Sequence, residues 1–279
     1  RTTAEHVAIE MAAHGGTVIE VRREGDKWRV VKGSDYARRI TAETEMRLSG
    51  PAAGHRRMRT SADPDGRSVV GMINNCAGAV TPWGTWLTCE ENINGYFWGK
   101  QARARHPDGD DLARYGIPGE WFAWGLFHDR FDIAKEPNEP NRLGRVVELA
   151  PIEAATEPVK RTALGRFKHE GAGNVITRDG RFVVYQGDDE HFEHIYRFVT
   201  DGKVDLTDKG ANRDLLDRGT LAAARFHADG RGEWLPLVHG EGPLTAANGF
   251  DDQGDVVIRA RQAADLLGAT RMDRPEDIE

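Results

Sequence analysis

An all-β architecture, either a sandwich or a propeller, is the fold class this sequence predicts. Three observations lead there. Short alternating segments rich in Val, Ile, Phe and Tyr recur along the chain. Asp-Gly turns separate many of them, and the strand–helix–strand alternation of a parallel sheet is absent. No strict internal repeat stands out; a period of about 40 residues gives only loose echoes of a strand–Asp-Gly–strand unit.

Taken in order, Thr17 to Arg23 and Trp28 to Val31 alternate around Glu24-Gly25-Asp26-Lys27, the pattern of a β-hairpin. Residues 35–48 have helical composition behind a Ser34/Asp35 start signal, which predicts a helix. Met58 to Ser68 reads as a polar loop with basic residues. Thr85 to Cys89 reads as a short strand. Residues 99–143, rich in Pro, Gly and Trp, form a long irregular stretch of the kind that is uncommon unless functional or disordered. Strand signals resume at Arg145 to Leu149. A meander then runs through Asn174 to Thr177, Phe182 to Gln186 and His194 to Val199, turning at Arg178-Asp179-Gly180-Arg181 and Gly187-Asp188-Asp189-Glu190. Leu221 to Phe226 and Glu233 to Leu237 continue it. One convincing helix covers Asp255 to Leu267 and stops at Gly268.

The 279 residues carry a net charge of −7, with 39% hydrophobic and 30% charged residues. That is the balance of a soluble globular protein, and the acidity without any basic, aromatic-interleaved run argues against a nucleic-acid partner. No apolar run approaches the roughly 20 residues of a membrane span. The abrupt start on Arg1-Thr2-Thr3 and the end on Pro275-Glu276-Asp277-Ile278-Glu279 suggest a portion of a longer chain. Two cysteines are not a disulfide scaffold, although a Cys76–Cys89 bond and free thiols are both open.

The chemistry concentrates in Asn74-Asn75-Cys76-Ala77-Gly78-Ala79-Val80-Thr81-Pro82-Trp83-Gly84-Thr85-Trp86-Leu87-Thr88-Cys89-Glu90-Glu91-Asn92. A soft sulfur donor and hard carboxylates on one strand–turn–strand unit suggest a metal site of mixed character, with Trp83 and Trp86 as apolar walls. Asn74 and Asn75 offer hydrogen-bond donors to a Cys76 thiolate. Glu90 and Glu91 lie on opposite faces of a strand, so one of them points with Cys76, and position favours Glu91. Lys168-His169-Glu170-Gly171 is not a zinc-protease helix, because Gly173 stands where HExxH needs its second histidine. His169 alone reads as a structural histidine, and Glu170 at a strand entry as a ligand candidate. Asp188-Asp189-Glu190 on a turn is either solvated or neutralised by a cation such as calcium. His191 and His194 face opposite sides of a strand, which disfavours zinc. In Arg271-Met272-Asp273-Arg274-Pro275-Glu276 an arginine fixed next to proline suits phosphate or carboxylate, or a surface ion pair. No G-x-S-x-G elbow, phosphate-binding G-x-x-x-x-G-K-[ST] loop or dinucleotide fingerprint occurs.

Asn75-Cys76-Ala77-Gly78 running into Thr81-Pro82-Trp83-Gly84-Thr85-Trp86-Leu87-Thr88-Cys89-Glu90-Glu91-Asn92 closely resembles the signature of the PhoX-type alkaline phosphatases. Phe167-Lys168-His169-Glu170-Gly171, Tyr185-Gln186-Gly187-Asp188-Asp189 with Tyr196-Arg197-Phe198, and Met272-Asp273-Arg274-Pro275-Glu276 match in the same order, so the resemblance spans residues 74 to 276. Ala79 stands where the family often has glycine. The resemblance implies a β-propeller, six-bladed in the family, with irregular and helical insertions. At its mouth it implies a bridged pair of ferric ions (Fe3+) with calcium ions (Ca2+) around them. Carried over, Cys76 and Glu170 would ligate iron; Glu91, Asp189 and Glu276, together with Glu90, would serve calcium; Arg274 would grip the substrate phosphate. The implied activity is hydrolysis of phosphate monoesters, in some members also diesters, on phosphorylated small molecules. The implied setting is a monomer exported folded by the twin-arginine route, periplasmic or secreted. Family chains run well past Glu276, so residues 1–279 would form a single, incomplete propeller-type domain. Two competing readings are a calcium-bearing propeller lactonase or esterase, and a non-enzymatic, calcium-stabilised binding propeller.

Overall fold

Two sheets carry the architecture of this computed structural model, which describes residues 2–278. The first has six strands, in the order Ser68–Val70, Glu45–Ser49, Val159–Arg161, Val146–Leu149, Trp86–Glu90 and Asn75–Val80. All its pairs are antiparallel except Val159–Arg161 against Glu45–Ser49. The second is a five-stranded antiparallel meander of Gly173–Ile176, Arg181–Gly187, Ile195–Lys203, Gly219–Phe226 and Gly232–Pro236. The expected three-strand meander is thus the heart of a larger one. Its first turn closes as the Asp-Gly signal requires, with Gly180 in the left-handed region donating its N–H to the Thr177 carbonyl at 2.9 Å.

The main core lies between the sheets. Leu87, Cys89 and Val146 from the first meet Phe182, Val184, Tyr196 and Phe198 from the second, and Val256, Ala260 and Ala263 close it from a helical cap. Val146–Leu149 is buried along its whole length, as a central strand covered on both faces must be. Its one charge, Glu148, is neutralised by Arg161 at 2.7 Å and accepts from the Trp83 indole at 3.0 Å. Trp83 and Trp86 therefore belong to the core clusters, not to the walls of a site.

Sheets dominate, helices are inserted among them as the expectation of helical insertions has it, and the described residues form no closed ring of sheets. The Asp255–Leu267 helix is two, Gln253–Ile258 and Ala260–Leu267, broken at Arg259. Asp252 caps the first by accepting from Asp255 N–H, and Gly268 ends the second in the left-handed region, as the sequence indicates. Ala4–Ala13, which sequence reasoning left unassigned, is a helix capped by Thr3 with Val7 and Met11 buried one turn apart. The helix expected over 35–48 does not form. Arg38–Ile40 is a strand paired with Gly16–Val18, and Glu45–Ser49 is one because Met46 and Leu48 alternate inward and pair with partners far along the chain. Here a non-local, period-two fit overrides helical composition. The Val21–Glu24/Lys27–Val30 hairpin forms with a two-residue Gly25-Asp26 turn. Residues 99–143 fold as short helices and 3-10 turns around a second core that includes Tyr96, Trp124 and Phe131.

For function, the placement of two sheet edges matters most. Asn75–Val80, the last strand of the first sheet, lies beside Gly173–Ile176, the first of the second, and the Asn174 side-chain amide donates to the Val80 carbonyl. Ala77 N–H donates to the Glu170 carbonyl across the gap at 2.9 Å.

Candidate metal centre

Cys76 sits where pairing in Asn75–Val80 slips: Asn75 faces Glu90 while Gly78 faces Thr88, so an irregularity falls at Cys76-Ala77. A bulge of this kind re-aims a side chain, and Asn74 just before it has φ +49. The thiol turns outward and donates to Glu170 Oε1 at 3.0 Å. Glu91 enters from the far end of the paired strand, held by its N–H on the Asn74 carbonyl at 3.0 Å and by the Asn92 amide on its carboxylate. Cys76, Glu91 and Glu170 each offer a ligand atom, all within 4.8 Å of one another.

A second layer comes from the chain end. Met272–Asp273 pairs with His191–Glu193, and Arg274 then turns with φ +55. The following residues cross the ends of two strands so closely that side chains are impossible beneath them. A Cβ on Gly187 would meet the Pro275 and Glu276 carbonyl oxygens at 2.3 Å, and one on Gly173 the Ile278 carbonyl at 2.2 Å. This contact brings Arg274 to Asp189, with Nη2 donating to Oδ2 at 2.8 Å, and Arg274 also pairs with Glu276 at 3.0 Å. Both contacts use Nη2; the rest of the guanidinium makes no hydrogen bond among the described residues. The other Asp189 oxygen, Oδ1, is buried and has no hydrogen-bond partner among the described residues.

The electrostatics are those of a negative pocket short of positive charge. Burial, then the neighbouring Glu170 and Asp189, push the Glu91 carboxyl up to about 7. Glu170 is raised by burial, with Asp189, Asp277 and Glu276 adding to it against the opposing Cys76 contact. Burial and the Glu170 contact push the Cys76 thiol up to about 12. A nucleophilic cysteine needs the opposite shift, so Cys76 suits a ligand whose proton a cation displaces. The acids, the thiol and the orphaned Asp189 oxygen together fit bound cations of mixed hard and soft character.

Of the residues singled out from the sequence, Cys76, Glu91, Glu170, Asp189, Arg274 and Glu276 converge here. Glu90 does not. It is fully buried on the opposite face, paired with Lys160 at 2.7 Å and accepting from Ile73 and Arg145 N–H groups at 3.1 Å. Asn74 and Asn75 do not serve the thiol either: their side-chain amides donate to Tyr96 Oη and Thr88 Oγ1. Asp188 turns inward to a buried fork with Arg261 at 2.8 and 2.5 Å. His194 is buried and His191 exposed, and both cysteines are free thiols. Sequence reasoning passed over Asp277, whose carboxyl acts on Glu170, and Lys168, whose charge acts on Glu91. Each stood one or two residues from a chosen acid; no spacing rule marks such neighbours.

The family model described as "Alkaline phosphatase PhoX" matches residues 1–279. The chain belongs to the PhoX alkaline phosphatase family. Among solved structures, Pseudomonas fluorescens PhoX in complex with vanadate, a transition state analogue, superposes with a TM-score of 0.94 at 50% identity. The similarity covers 99% of this chain and 49% of that one, so this chain spans about half the length of that PhoX. A comparison with curated proteins gave no match. No helix among the described residues is long and apolar enough to cross a membrane.

Proposed function

We propose that this chain supplies part of the catalytic centre of a metal-dependent phosphatase acting on phosphate monoesters, and on some diesters. The observation that carries this reading is the meeting of Cys76, Glu91 and Glu170 within 4.8 Å, with Asp189 holding Arg274 beside them. In this reading Cys76 and Glu170 hold ferric iron, while Glu91, Asp189 and Glu276 hold calcium. When bound, these cations supply positive charge against the phosphoryl oxygens and lower the proton affinity of an oxygen nucleophile. Further acids from a six-bladed propeller complete the shell, and the protein works in the periplasm or outside the cell after folded export, as a monomer.

The chain's own residues account for the rest. Arg274 is half-exposed and anchored through Nη2, which leaves Nε–H and Nη1–H, two prongs of its planar fork, to donate to phosphate oxygens. Asp189 sets the direction of that fork. Cys76 and Glu170 share one hydrogen bond at 3.0 Å, and both would have to be deprotonated to hold a cation, so binding would release their proton to solvent. Charge on phosphate oxygens grows toward the transition state, so a fixed guanidinium stabilises that state more than the ground state.

The test is phosphomonoester turnover by the full-length protein. Arg274→Ala should lower kcat/KM by roughly 100- to 1,000-fold, the scale for losing one preorganised donor. Arg274→Lys should recover only part of it, since a point charge lacks the fork. Unchanged turnover in Arg274→Ala would remove Arg274 from the reaction.

A further inference from the structure

Backbone strain marks more of the site than the reaction uses. Among the described residues, the non-glycine positions with positive φ are Asn74 (+49), Glu120 (+59), Phe192 (+67) and Arg274 (+55). Such conformations cost free energy, are outliers for a bulky residue such as phenylalanine, and gather at functional sites. Asn74 and Arg274 are explained: one introduces Cys76, the other approaches Asp189. Glu120 and Phe192 are not, and each presents an exposed aromatic ring.

Glu120 is held by the N–H groups of Gly99 and Lys100, at 3.2 and 3.1 Å, and so sets the direction of Trp121. The Trp121 N–H bonds the Gly95 carbonyl at 2.7 Å, and its indole lies so close over Gly95 that a Cβ there would meet the ring at 2.5 Å. Gly95 belongs to the 3-10 turn just after Glu91. Although fixed in place, Trp121 stays 60% exposed. The Lys168 ammonium stands 6.0 Å from the ring centroid. Lys168 also pairs with Glu190 at 2.6 Å, which leads directly to Phe192. Phe192 occupies the irregularity between His191, opposite Asp273, and Glu193, opposite Met272. That bulge turns its ring outward to 69% exposure, two residues in register from Arg274. Lys168 thus links the indole to Glu190, two residues before Phe192, and the phenyl stands on the strand paired with the segment that carries Arg274.

Resting on the phosphatase reading above, we propose that Trp121 and Phe192 are specificity-determining residues that hold the leaving-group side of the ester and favour planar, aromatic alcohols over small aliphatic ones. With the phosphoryl group on Arg274, the organic group extends to the rim, where ring-on-ring contact contributes beyond simple burial. The fixed backbone keeps both rings in place before substrate arrives, so little ordering is lost on binding.

Calorimetry on the full-length, metal-loaded protein compares phenylphosphonate with methylphosphonate, and turnover compares phenyl phosphate with glycerol phosphate. The expectation is that Trp121→Ala costs the phenyl ligand and ester about tenfold, equivalent to ~1.4 kcal/mol, and leaves the small ones within twofold. Phe192→Ala should do the same more weakly, and Trp121→Phe should restore most of the loss. Equal affinity for the two phosphonates in the parent protein, or parallel losses of both in Trp121→Ala, overturns the rim; an indole covered by another segment or a second copy gives that result. Tight phenylphosphonate binding that depends on Trp121, without turnover of any phosphomonoester, sinks the phosphatase reading and leaves the rim standing. Failure to bind either phosphonate sinks both.

Discussion

Glu90 and Glu91 are neighbours with opposite fates, and the cause is strand geometry. Successive side chains leave a strand on opposite faces, so Glu91 reaches the cation pocket while Glu90 enters the core. There Lys160, pushed down to about 8 by burial against the Glu90 contact, meets it at 2.7 Å. Glu90→Gln should cost about 3 kcal/mol in denaturant unfolding, because it leaves a buried charge unpaired, while bound metal stays the same. Metal lost in proportion to Glu90→Gln would put Glu90 back among the ligands. Glu91 allows a test of sign. Its folded carboxyl titrates near 7, above the 4.5 expected when unfolded. In metal-stripped protein the folded state therefore holds the proton more tightly, and stability should fall as pH rises from about 4.5 to 7. Melting temperatures of stripped protein across that window should decline; with cations bound the decline should vanish, since metal replaces the proton. A stripped protein that gains stability over the same window would contradict the raised carboxyl.

At the scale of elements, the pocket exists because a terminal segment crosses two strand ends where only glycine fits. Gly187→Ala should push back the Pro275–Glu276 backbone, taking Arg274 from Asp189. We expect turnover to drop at least tenfold while Gly180→Ala, a hairpin-turn control, affects stability alone. Full activity in Gly187→Ala would mean the segment finds another path. Much at this scale was legible: the hairpin at Gly25-Asp26, the Asp179-Gly180 turn and the Gly268 stop are local signals written in single residues. The segment over 35–48 was not, because its strands are fixed by partners that composition cannot reveal: Gly16–Val18 for Arg38–Ile40, and Ser68–Val70 with Val159–Arg161 for Glu45–Ser49. The site was legible through its motif, which gathers Cys76 and Glu91 in one stretch. Lys168, Asp277 and the aromatic rim escaped because they join the pocket only through contacts across the chain.

Over the whole molecule, two sheets packed face to face leave one edge of each beside the other, and the donors gather at that seam. Acids held this close repel one another until cations arrive, so metal binding and stability are linked. The most direct measurement of the central claim is the metal content of the purified full-length protein beside its Cys76→Ala variant, with melting curves for both. The account predicts iron and calcium in the parent, and iron lost from a still-folded variant. Neither metal in the parent, or equal iron in both proteins, would contradict it.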